Sequence, residues 1–404
     1  MKNIIYLTTF LLITFSVSIS VAQTAYITNE FSNTVSVIDV PTNTVTDTIA
    51  VGSHPSGVSV SLDGTKVYIT NWGANTVSVI NTATNIVSTT IPVGSHPYGL
   101  FVNPTGNKLY VANNSDNTVS VINTATNSVS ATIPVGSYPN SLSVTPDGSK
   151  LYVANYGANT VSVINTTTNT VSTSITVGSH PVGLCVSPDG NNVYVTNQSS
   201  GTVSVVNTVS DTVSDSITVG TNPFGISISP DGSKLYVANS GSNNVSVIFI
   251  PGNILWVNAP VGNFPNGLSV SPDGINIYVT NYLSNTVSVI NYFTNTVYAT
   301  IPVSSHPIAF GNSISTYPSI AGITSQNIEP VSMTIYPNPT SGQFTISLST
   351  DNATINVTNI LGQKILKMQT TQKTTNLQLD NNGVYFVCVK TKEGTATRKL
   401  IVNH

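Results

Sequence analysis

The sequence predicts an all-β chain, with a seven-bladed β-propeller followed by a small Ig-like β-sandwich. The first observation is a proline that recurs every 42 residues without an insertion. The second is a tyrosine that recurs seven times in one phase, from Tyr26 to Tyr278. A period of about 40 residues with four short β-type runs is typical of propeller blades. The seven prolines are Pro55, Pro97, Pro139, Pro181, Pro223, Pro265 and Pro307.

Residues 1–22 are predicted to be a secretory signal peptide. Lys2 gives a positive start, an apolar run begins at Ile4, and small residues up to Ala22 form a cleavage site. A membrane anchor would need about 20 apolar residues, and polar residues interrupt this shorter run. We therefore expect a secreted protein without a membrane span.

Residues 23–314 are predicted to form the propeller, and each unit has four strands that we call a to d. In the unit that begins at Pro139 they are SLSVTP, KLYVAN, NTVSVIN and TVSTSITVG. Both faces of strand c can be covered by neighbouring blades, because Val161 and Val163 alternate with small or apolar residues. The Asp-Gly pair at Asp147 recurs in five units as the turn between strands a and b. We interpret these aspartates as structural rather than catalytic.

The two ends of the repeat array predict how the ring closes. The array begins at a strand b, Ala25 to Asn29, so the first blade lacks its strand a. Residues from Ile308 to Ile314, after the last proline, are expected to supply it. This closure would cover sheet edges that could otherwise pair with other chains.

The repeat ends near residue 315, where the charge also changes sign. Residues 315–330 are predicted to be a linker, and residues 331–404 a second domain of short alternating β runs. Residues 24–330 carry four lysines against twelve acids, whereas the residues after 330 carry seven basic residues against three acids. Two domains of opposite charge follow.

Composition excludes one class of partner. Only 7% of the residues are charged, against roughly 25% in ordinary soluble domains. The propeller segment has no arginine and no basic stripe, so we expect no nucleic-acid partner. Cys185 and Cys388 lie in separate apolar runs and are interpreted as buried thiols rather than a disulfide.

The turns at one end of the ring, between strands b and c and between strands d and a, are predicted to carry function. These positions vary between blades that are otherwise nearly identical. Loop packing would explain any one aromatic residue there, but a set of rings flanked by amides suits sugar rings or extended peptides. The predicted ligand-binding residues are Trp72, Tyr98, Tyr138, Tyr156, Phe224, Phe264, Tyr282, Asn140 and Asn266.

Histidines at the same end suggest a metal site as an alternative. His54, His96 and His306 precede the recurring proline in three neighbouring blades, and imidazole is a good ligand for Zn or Cu. Equivalent side chains of separate blades diverge unless they point inward, whereas ligating nitrogens must lie about 2 Å from one ion. We therefore expect no metal and no cofactor.

The same end is poor in catalytic groups. It offers two carboxylates, Glu30 and Asp116, which lie two blades apart, whereas glycoside hydrolysis needs a facing pair. It has no Lys or Arg, and the chain has no Gly-x-Ser-x-Gly elbow. We expect a binding protein rather than an enzyme. A hydrolytic or metal-dependent redox enzyme using the same face, and a structural surface-layer component, are the alternatives.

The repeat motifs carry a family resemblance. The recurring Val-Gly-x-His-Pro-x-Gly, Ser-Pro-Asp-Gly, Tyr-Val-Ala/Thr-Asn and Asn-Thr-Val-Ser-Val-Ile resemble the YVTN family of β-propeller repeats. That family occurs in microbial surface-layer and extracytoplasmic proteins. The resemblance implies the fold, and it leaves function open because propellers host many activities.

The C-terminal segment carries a second resemblance. Its motifs, in order, include Tyr336-Pro337-Asn338-Pro339, Gly342-Gln343-Phe344, Asn382-Gly383-Val384-Tyr385 and Thr397-Arg398-Lys399-Leu400. They resemble the Por-type sorting domain of type IX secretion cargo from Bacteroidetes. The resemblance implies that residues 331–404 engage the secretion machinery, and that the protein is released or attached at the outer surface. A recognition or adhesion module for a glycan or protein ligand is the function that we predict.

Overall fold

A computed structural model describes residues 23–309, 311–315, 333–338, 340–359, 364–391 and 395–402. The predicted signal peptide lies outside these residues, as does the predicted linker apart from Ser315. The chain divides into two compact units, Met1–Ser319 and Ile320–His404. In the described parts, the one helical segment is a 3₁₀ turn at Ile250–Gly252, and no helix there is long and apolar enough to cross a membrane.

The first unit contains seven four-stranded antiparallel sheets, which confirms the seven-bladed propeller. Blade 1 joins β28 to β1–β3, and blades 2 to 7 take four consecutive strands each, from β4–β7 to β24–β27. The strands are β1 (Thr24–Asn29), β2 (Thr34–Asp39), β3 (Thr44–Ala50), β4 (Pro55–Val60), β5 (Lys66–Asn71), β6 (Thr76–Asn81), β7 (Ile86–Pro92), β8 (Pro97–Val102), β9 (Lys108–Asn113), β10 (Thr118–Asn123), β11 (Ser128–Pro134), β12 (Pro139–Val144), β13 (Lys150–Asn155), β14 (Thr160–Asn165), β15 (Thr170–Thr176), β16 (Pro181–Val186), β17 (Asn192–Asn197), β18 (Thr202–Asn207), β19 (Thr212–Thr218), β20 (Pro223–Ile228), β21 (Lys234–Asn239), β22 (Asn244–Phe249), β23 (Ile254–Pro260), β24 (Pro265–Val270), β25 (Asn276–Asn281), β26 (Thr286–Asn291), β27 (Val297–Pro302) and β28 (Pro307–Ile308).

Strands b and c form the buried middle of each blade, because their side chains are covered on both faces. In blade 4, Tyr152 and Val163 are fully buried, and they are paired in register. The recurring asparagine at the end of strand b also has a structural role: Asn155 Nδ2 donates to Thr160 Oγ1 at 3.1 Å and Ser162 Oγ at 2.9 Å. Strand d, the outer strand, is exposed along most of its length.

Ring closure takes place as the sequence predicts. In β28, Ile308 and Pro307 pair with Thr28 and Asn29 of β1, and Ile314 forms an isolated bridge with Ala25 further along. The Tyr26 amide donates to Ser313 O at 2.8 Å. The last described residues of the propeller therefore complete the first blade.

The a strands of neighbouring blades contact each other and surround a central channel. Its cavity of about 560 Å³ is lined by strand-a residues from every blade. In five blades a glycine lets adjacent a strands approach closely, and a β-carbon on Gly99 would lie 2.4 Å from Asn140 O. Ser141 and Ala309 occupy the equivalent position in the other two blades. The close approach explains the glycine of the His-Pro-x-Gly motif.

The lysines of the propeller join neighbouring blades at the end that carries the a–b and c–d turns. Each donates to a backbone carbonyl in a c–d turn of the following blade, for example from Lys150 Nζ to Thr208 O at 2.7 Å. Lys150 Nζ also lies 2.8 Å from Asp211 Oδ2. Lys66, Lys108 and Lys234 make the equivalent bond.

The second unit is a small β structure with two sheets, ordered β29-β30-β33 and β32-β31-β34-β35. Its core includes Phe344, Ile355 and Val387. Cys388 in this unit and Cys185 in the propeller are free thiols. The strands are β29 (Met333–Tyr336), β30 (Gln343–Leu348), β31 (Ala353–Asn359), β32 (Lys364–Thr370), β33 (Thr374–Gln378), β34 (Gly383–Lys390) and β35 (Thr395–Val402).

Candidate ligand-binding site

The turns at the predicted functional end are held in one conformation. The residue before each recurring proline adopts a left-handed backbone, as at Tyr138 with φ 53°. The Tyr138 amide donates to Asn117 Oδ1 at 2.8 Å, and Asn117 is also left-handed, with φ 57°. Asparagine tolerates this region better than most residues. The side chains at these turns therefore project from a fixed frame.

One cavity opens at this end and brings together residues of blades 2, 3 and 4. Its volume is about 310 Å³, which is the lower end of the range for small-molecule sites. Five of the nine predicted ligand-binding residues line it, together with Asn114. The lining residues are Trp72, Tyr98, Asn114, Tyr138, Asn140 and Tyr156.

Two of the aromatic walls are supported by histidines. The Trp72 ring lies 4.2 Å from the His96 ring at an interplanar angle of 30°. The Tyr156 ring stacks on His180 at 4.5 Å and 26°. In both pairs, the histidine precedes the proline that opens the next blade. The imidazole therefore fixes the orientation of the ring that faces the cavity.

The cavity combines exposed ring surface with amide groups. Tyr138 is 52% exposed and Trp72 is 37% exposed. Between blades 3 and 4, Asn114 Nδ2 donates to Asn140 Oδ1 at 2.8 Å and to Pro139 O at 3.2 Å. This arrangement presents apolar faces beside fixed hydrogen-bonding groups, as sugar rings require.

Other predicted residues close the central channel at this end. Val182 and Ile308 are buried there, and four half-buried aromatic residues pack against them. These four are Tyr98, Tyr156, Phe224 and Tyr282. Phe224 therefore supports the floor of the face, whereas Tyr98 and Tyr156 contribute both to this packing and to the cavity.

The two remaining predicted residues lie away from the cavity. Phe264 lies 5.9 Å from Tyr282, ring to ring. Asn266 is 3% exposed, and its Oδ1 accepts a hydrogen bond from Thr280 Oγ1 at 2.9 Å. Because Asn266 is buried and paired within blade 7, we leave it out of the proposed site.

The three histidines considered as metal ligands are separated by aromatic rings. Phe31 lies between His306 and His54, at centroid distances of 4.5 and 5.6 Å. Trp72 lies between His54 and His96, at 6.0 and 4.2 Å. Among the described residues, no group of three or more His, Cys, Asp or Glu side chains is placed to hold a metal ion.

Glu30 lies on the same face, next to Tyr282 and His54. The Tyr282 hydroxyl donates to Glu30 Oε2 at 2.8 Å, and His54 Nδ1 lies 3.7 Å from Glu30 Oε1. Burial, followed by this hydrogen bond, raises the pKa of Tyr282. Burial and then the charge of Glu30 raise the pKa of Tyr98. Both phenols therefore remain neutral at physiological pH.

Comparison of the copies could have identified two residues that the sequence-based site omitted. Asn114 occupies the b–c position that carries Trp72 in blade 2 and Tyr156 in blade 4. Phe31 is 54% exposed at a position where blades 2 and 4 have glycine, Gly73 and Gly157. No other blade has asparagine at the position of Asn114 or phenylalanine at the position of Phe31.

Family profiles agree with the fold and the terminal domain. Residues 334–403 match the secretion system C-terminal sorting domain. Residues 13–133 match the seven-bladed β-propeller lactonase family, and residues 103–191 match the YNCE-like β-propeller family.

Solved structures show the same propeller fold at low identity. Hydrazine synthase of Kuenenia stuttgartiensis is 24% identical with a TM-score of 0.60, covering 66% of this chain and 91% of that one. A candidate 6-phosphogluconolactonase of Bacteroides uniformis is 20% identical with a TM-score of 0.62, covering 71% of this chain and 98% of that one.

A sequence relative matches only a short segment. The PE-PGRS family protein PE_PGRS18 of Mycobacterium tuberculosis (strain ATCC 25618 / H37Rv) is 56% identical over 45 residues, 11% of this chain and 10% of that protein. The match thus spans only a tenth of that relative.

The seven sheets and the cavity of blades 2 to 4 define the class of protein: a seven-bladed β-propeller with a ligand-sized cavity at one end of the ring. The chain is a secreted β-propeller protein whose C-terminal domain is a type IX secretion sorting domain. Its destination is the cell surface or the extracellular space.

Proposed function

We propose that the propeller is a recognition module that binds a glycan in the cavity of blades 2 to 4. The observation that carries the proposal is the convergence of Trp72, Tyr138 and Tyr156 on one opening of about 310 Å³. Aromatic rings stack on the apolar faces of sugars, and amides bond to their hydroxyl groups. The histidines that pack against Trp72 and Tyr156 support the proposal, because a site that is rigid before binding loses less entropy on binding.

A glycan array with the full chain tests this function. Trp72→Ala and Tyr156→Ala remove opposite walls of the cavity, and Trp256→Ala is the control, since Trp256 is 60% exposed on outer strand β23. We expect binding to be clearly weakened in the first two variants and kept in the third. Glycan binding that survives both cavity variants would contradict the site. Absence of glycan binding, together with capture of a protein ligand, would indicate that the module recognises protein instead.

Hydrolysis is the second candidate function, because the lactonase profile matches residues 13–133. A phosphorylated lactone would need basic side chains around its phosphate. In residues 23–309 and 311–315, the lysines instead bond to c–d turns at the opposite end of the ring. We therefore propose binding without catalysis. Turnover of gluconolactones by the purified chain, lost in Glu30→Gln, would favour the enzyme instead.

We also propose that the predicted boundaries describe processing: residues 1–22 and 331–404 are removed, and residues 23–314 act as the mature propeller. The sorting-domain match at residues 334–403 supports the second cleavage. Mass spectrometry of the secreted protein tests both cuts. A surface-layer role would instead give an ordered array of mature protein without glycan binding.

A further inference from the structure

Glu30 differs from every other carboxylate in the described propeller residues. It is the one glutamate there, and its oxygens contact the Tyr282 hydroxyl at 2.8 Å and approach His54 at 3.7 Å. The ten aspartates instead accept a backbone N–H or, at Asp211, pair with a lysine. The aspartates have structural partners, whereas Glu30 faces aromatic and imidazole rings.

The surroundings of Glu30 suit an organic cation. Phe31, the next residue, is 54% exposed, and the Glu30 side chain is 22% exposed. A carboxylate beside an accessible ring attracts an ammonium group both by charge and through the face of the ring. The propeller lysines bond at the other end of the ring, so no described lysine of the propeller competes for Glu30.

Glu30 is also connected to the proposed glycan cavity. His54 lies 3.7 Å from Glu30 and, ring to ring, 6.0 Å from Trp72, which lines the cavity. Tyr98 lines the cavity as well, and the Glu30 charge contributes, after burial, to the raised pKa of its phenol. A ligand that occupies the cavity can therefore extend one further unit towards blade 1.

We propose that Glu30, with Phe31 and Tyr282, forms a subsite for the ammonium group of an amino sugar within the same glycan. This inference rests on the proposed function, because the neighbouring sugar units occupy the cavity of Trp72 and Tyr156. Glu30 binds the cation and keeps its hydrogen bond from Tyr282. The two carboxylates of this face, Glu30 and Asp116, also disfavour uronic acids and sulfated sugars.

The test compares three forms of one β-1,4-linked glucosamine tetrasaccharide by calorimetry with the full chain. The free-amine and N-trimethyl forms carry cations, the latter at every pH, and the N-acetyl form is neutral. We expect both cationic forms to bind about 3- to 10-fold more tightly than the N-acetyl form, which is the scale of one exposed ion pair with a ring contact. Glu30→Gln should abolish this preference, so that the cationic forms bind no more tightly than the N-acetyl form.

Asp116→Asn is the matched control, because Asp116 is the other carboxylate of this face and accepts the Ser95 amide at 2.7 Å. It should keep the preference for cations, and thermal unfolding of both variants reports any loss of folding. A preference that persists in Glu30→Gln overturns the inference. Wild-type binding of the N-acetyl form alone, sensitive to Trp72→Ala, also overturns it but leaves the proposed function intact. Failure of all three forms overturns the subsite, and the glycan array then decides separately whether the cavity binds glycans.

Discussion

The Tyr138 ring lies directly over Gly157, and a β-carbon built on Gly157 would come within 2.6 Å of Tyr138 Cδ2. Gly157 belongs to the b–c turn of blade 4, next to Tyr156. The absence of a side chain at this glycine thus allows one wall of the cavity to occupy its observed position. Substitution at this glycine therefore tests the site without removing an aromatic ring.

Gly157→Ala should displace Tyr138 and weaken glycan binding about 3- to 10-fold, because a methyl group at this distance forces the ring to move. Gly241→Ala is the matched control: it changes the same turn of blade 6, which does not line the cavity, and the new β-carbon would meet Thr221 Oγ1 at 2.8 Å. Calorimetry with a neutral oligosaccharide from the array should show the loss only in Gly157→Ala. Equal losses in both variants would point to a general effect on the turns.

Trp72→Ala should have a larger effect than Gly157→Ala. It removes the ring that packs against His96 at 4.2 Å and 30°. We expect binding to weaken about 10- to 100-fold, or about 1.4–2.8 kcal/mol. Trp72 is 37% exposed, so thermal unfolding of the variant is measured beside binding to separate loss of the site from loss of folding. Trp72→Phe should restore part of the affinity, since a smaller ring still offers a stacking face. Full affinity in Trp72→Ala would exclude this wall from the site.

The repeat made the architecture predictable, because a 42-residue period without insertions fixes where every strand begins. Strand pairing in blade 4 follows the motifs directly, with Tyr152 opposite Val163. Closure of the ring was predictable for the same reason. The first blade lacks a strand a at the start of the repeat array, and the residues after Pro307 repeat the strand-a position at its end. Here local sequence and global fold agree in every copy.

The site was predictable only as a set of positions. Sequence comparison finds the variable positions but gives no side-chain direction. It therefore placed Trp72 and Phe224 in one class, although Phe224 packs at the axis and Trp72 faces the cavity. Asn266 shows the same limit. The Thr280 hydroxyl donates a hydrogen bond to its amide oxygen within blade 7, and the sequence does not indicate this pairing. The direction of each side chain depends on its contacts with the neighbouring blades, and the sequence of one repeat unit does not contain that information.

The Asp-Gly turns predict sensitivity to acid. Asp147 and Asp189 accept hydrogen bonds from Thr145 and Ser187 first, and then from backbone amides, which lowers the pKa of both carboxyls. Their folded-state pKa values lie below the unfolded value of about 3.9. The stabilisation is therefore complete above that pH and is lost as pH falls through the lower folded value.

Urea unfolding between neutral pH and pH of about 3 measures this effect. We expect the midpoint to fall with pH in the wild type, and to fall less in the Asp147→Asn, Asp189→Asn double variant, which has no carboxylate to protonate at these turns. Asp116→Asn is the control, because it removes a carboxylate that lies outside the Asp-Gly turns. An identical acid response in the double variant and the wild type would contradict the role of the turns.

Ile314 tests how much stability the closure of the ring contributes. It is fully buried and bridges to Ala25, while the Ser315 amide donates to Thr24 O at 2.9 Å. Ile314→Ala should lower the free energy of unfolding by about 2–5 kcal/mol, the usual cost of truncating a buried isoleucine. Ile254→Ala is the control: this isoleucine is 61% exposed on the outer strand of blade 6, so its truncation should cost less than about 0.5 kcal/mol.

The two variants also separate loss of packing from opening of the ring. If residues 307–315 detach as a unit, Ile314→Ala should increase amide hydrogen exchange in β1 before global unfolding, because β1 would lose its pairing with β28. Blades 3 to 5 should keep their protection under the same conditions. Uniform exchange across all blades would mean that the ring unfolds in one step and that the closing segment does not unfold separately.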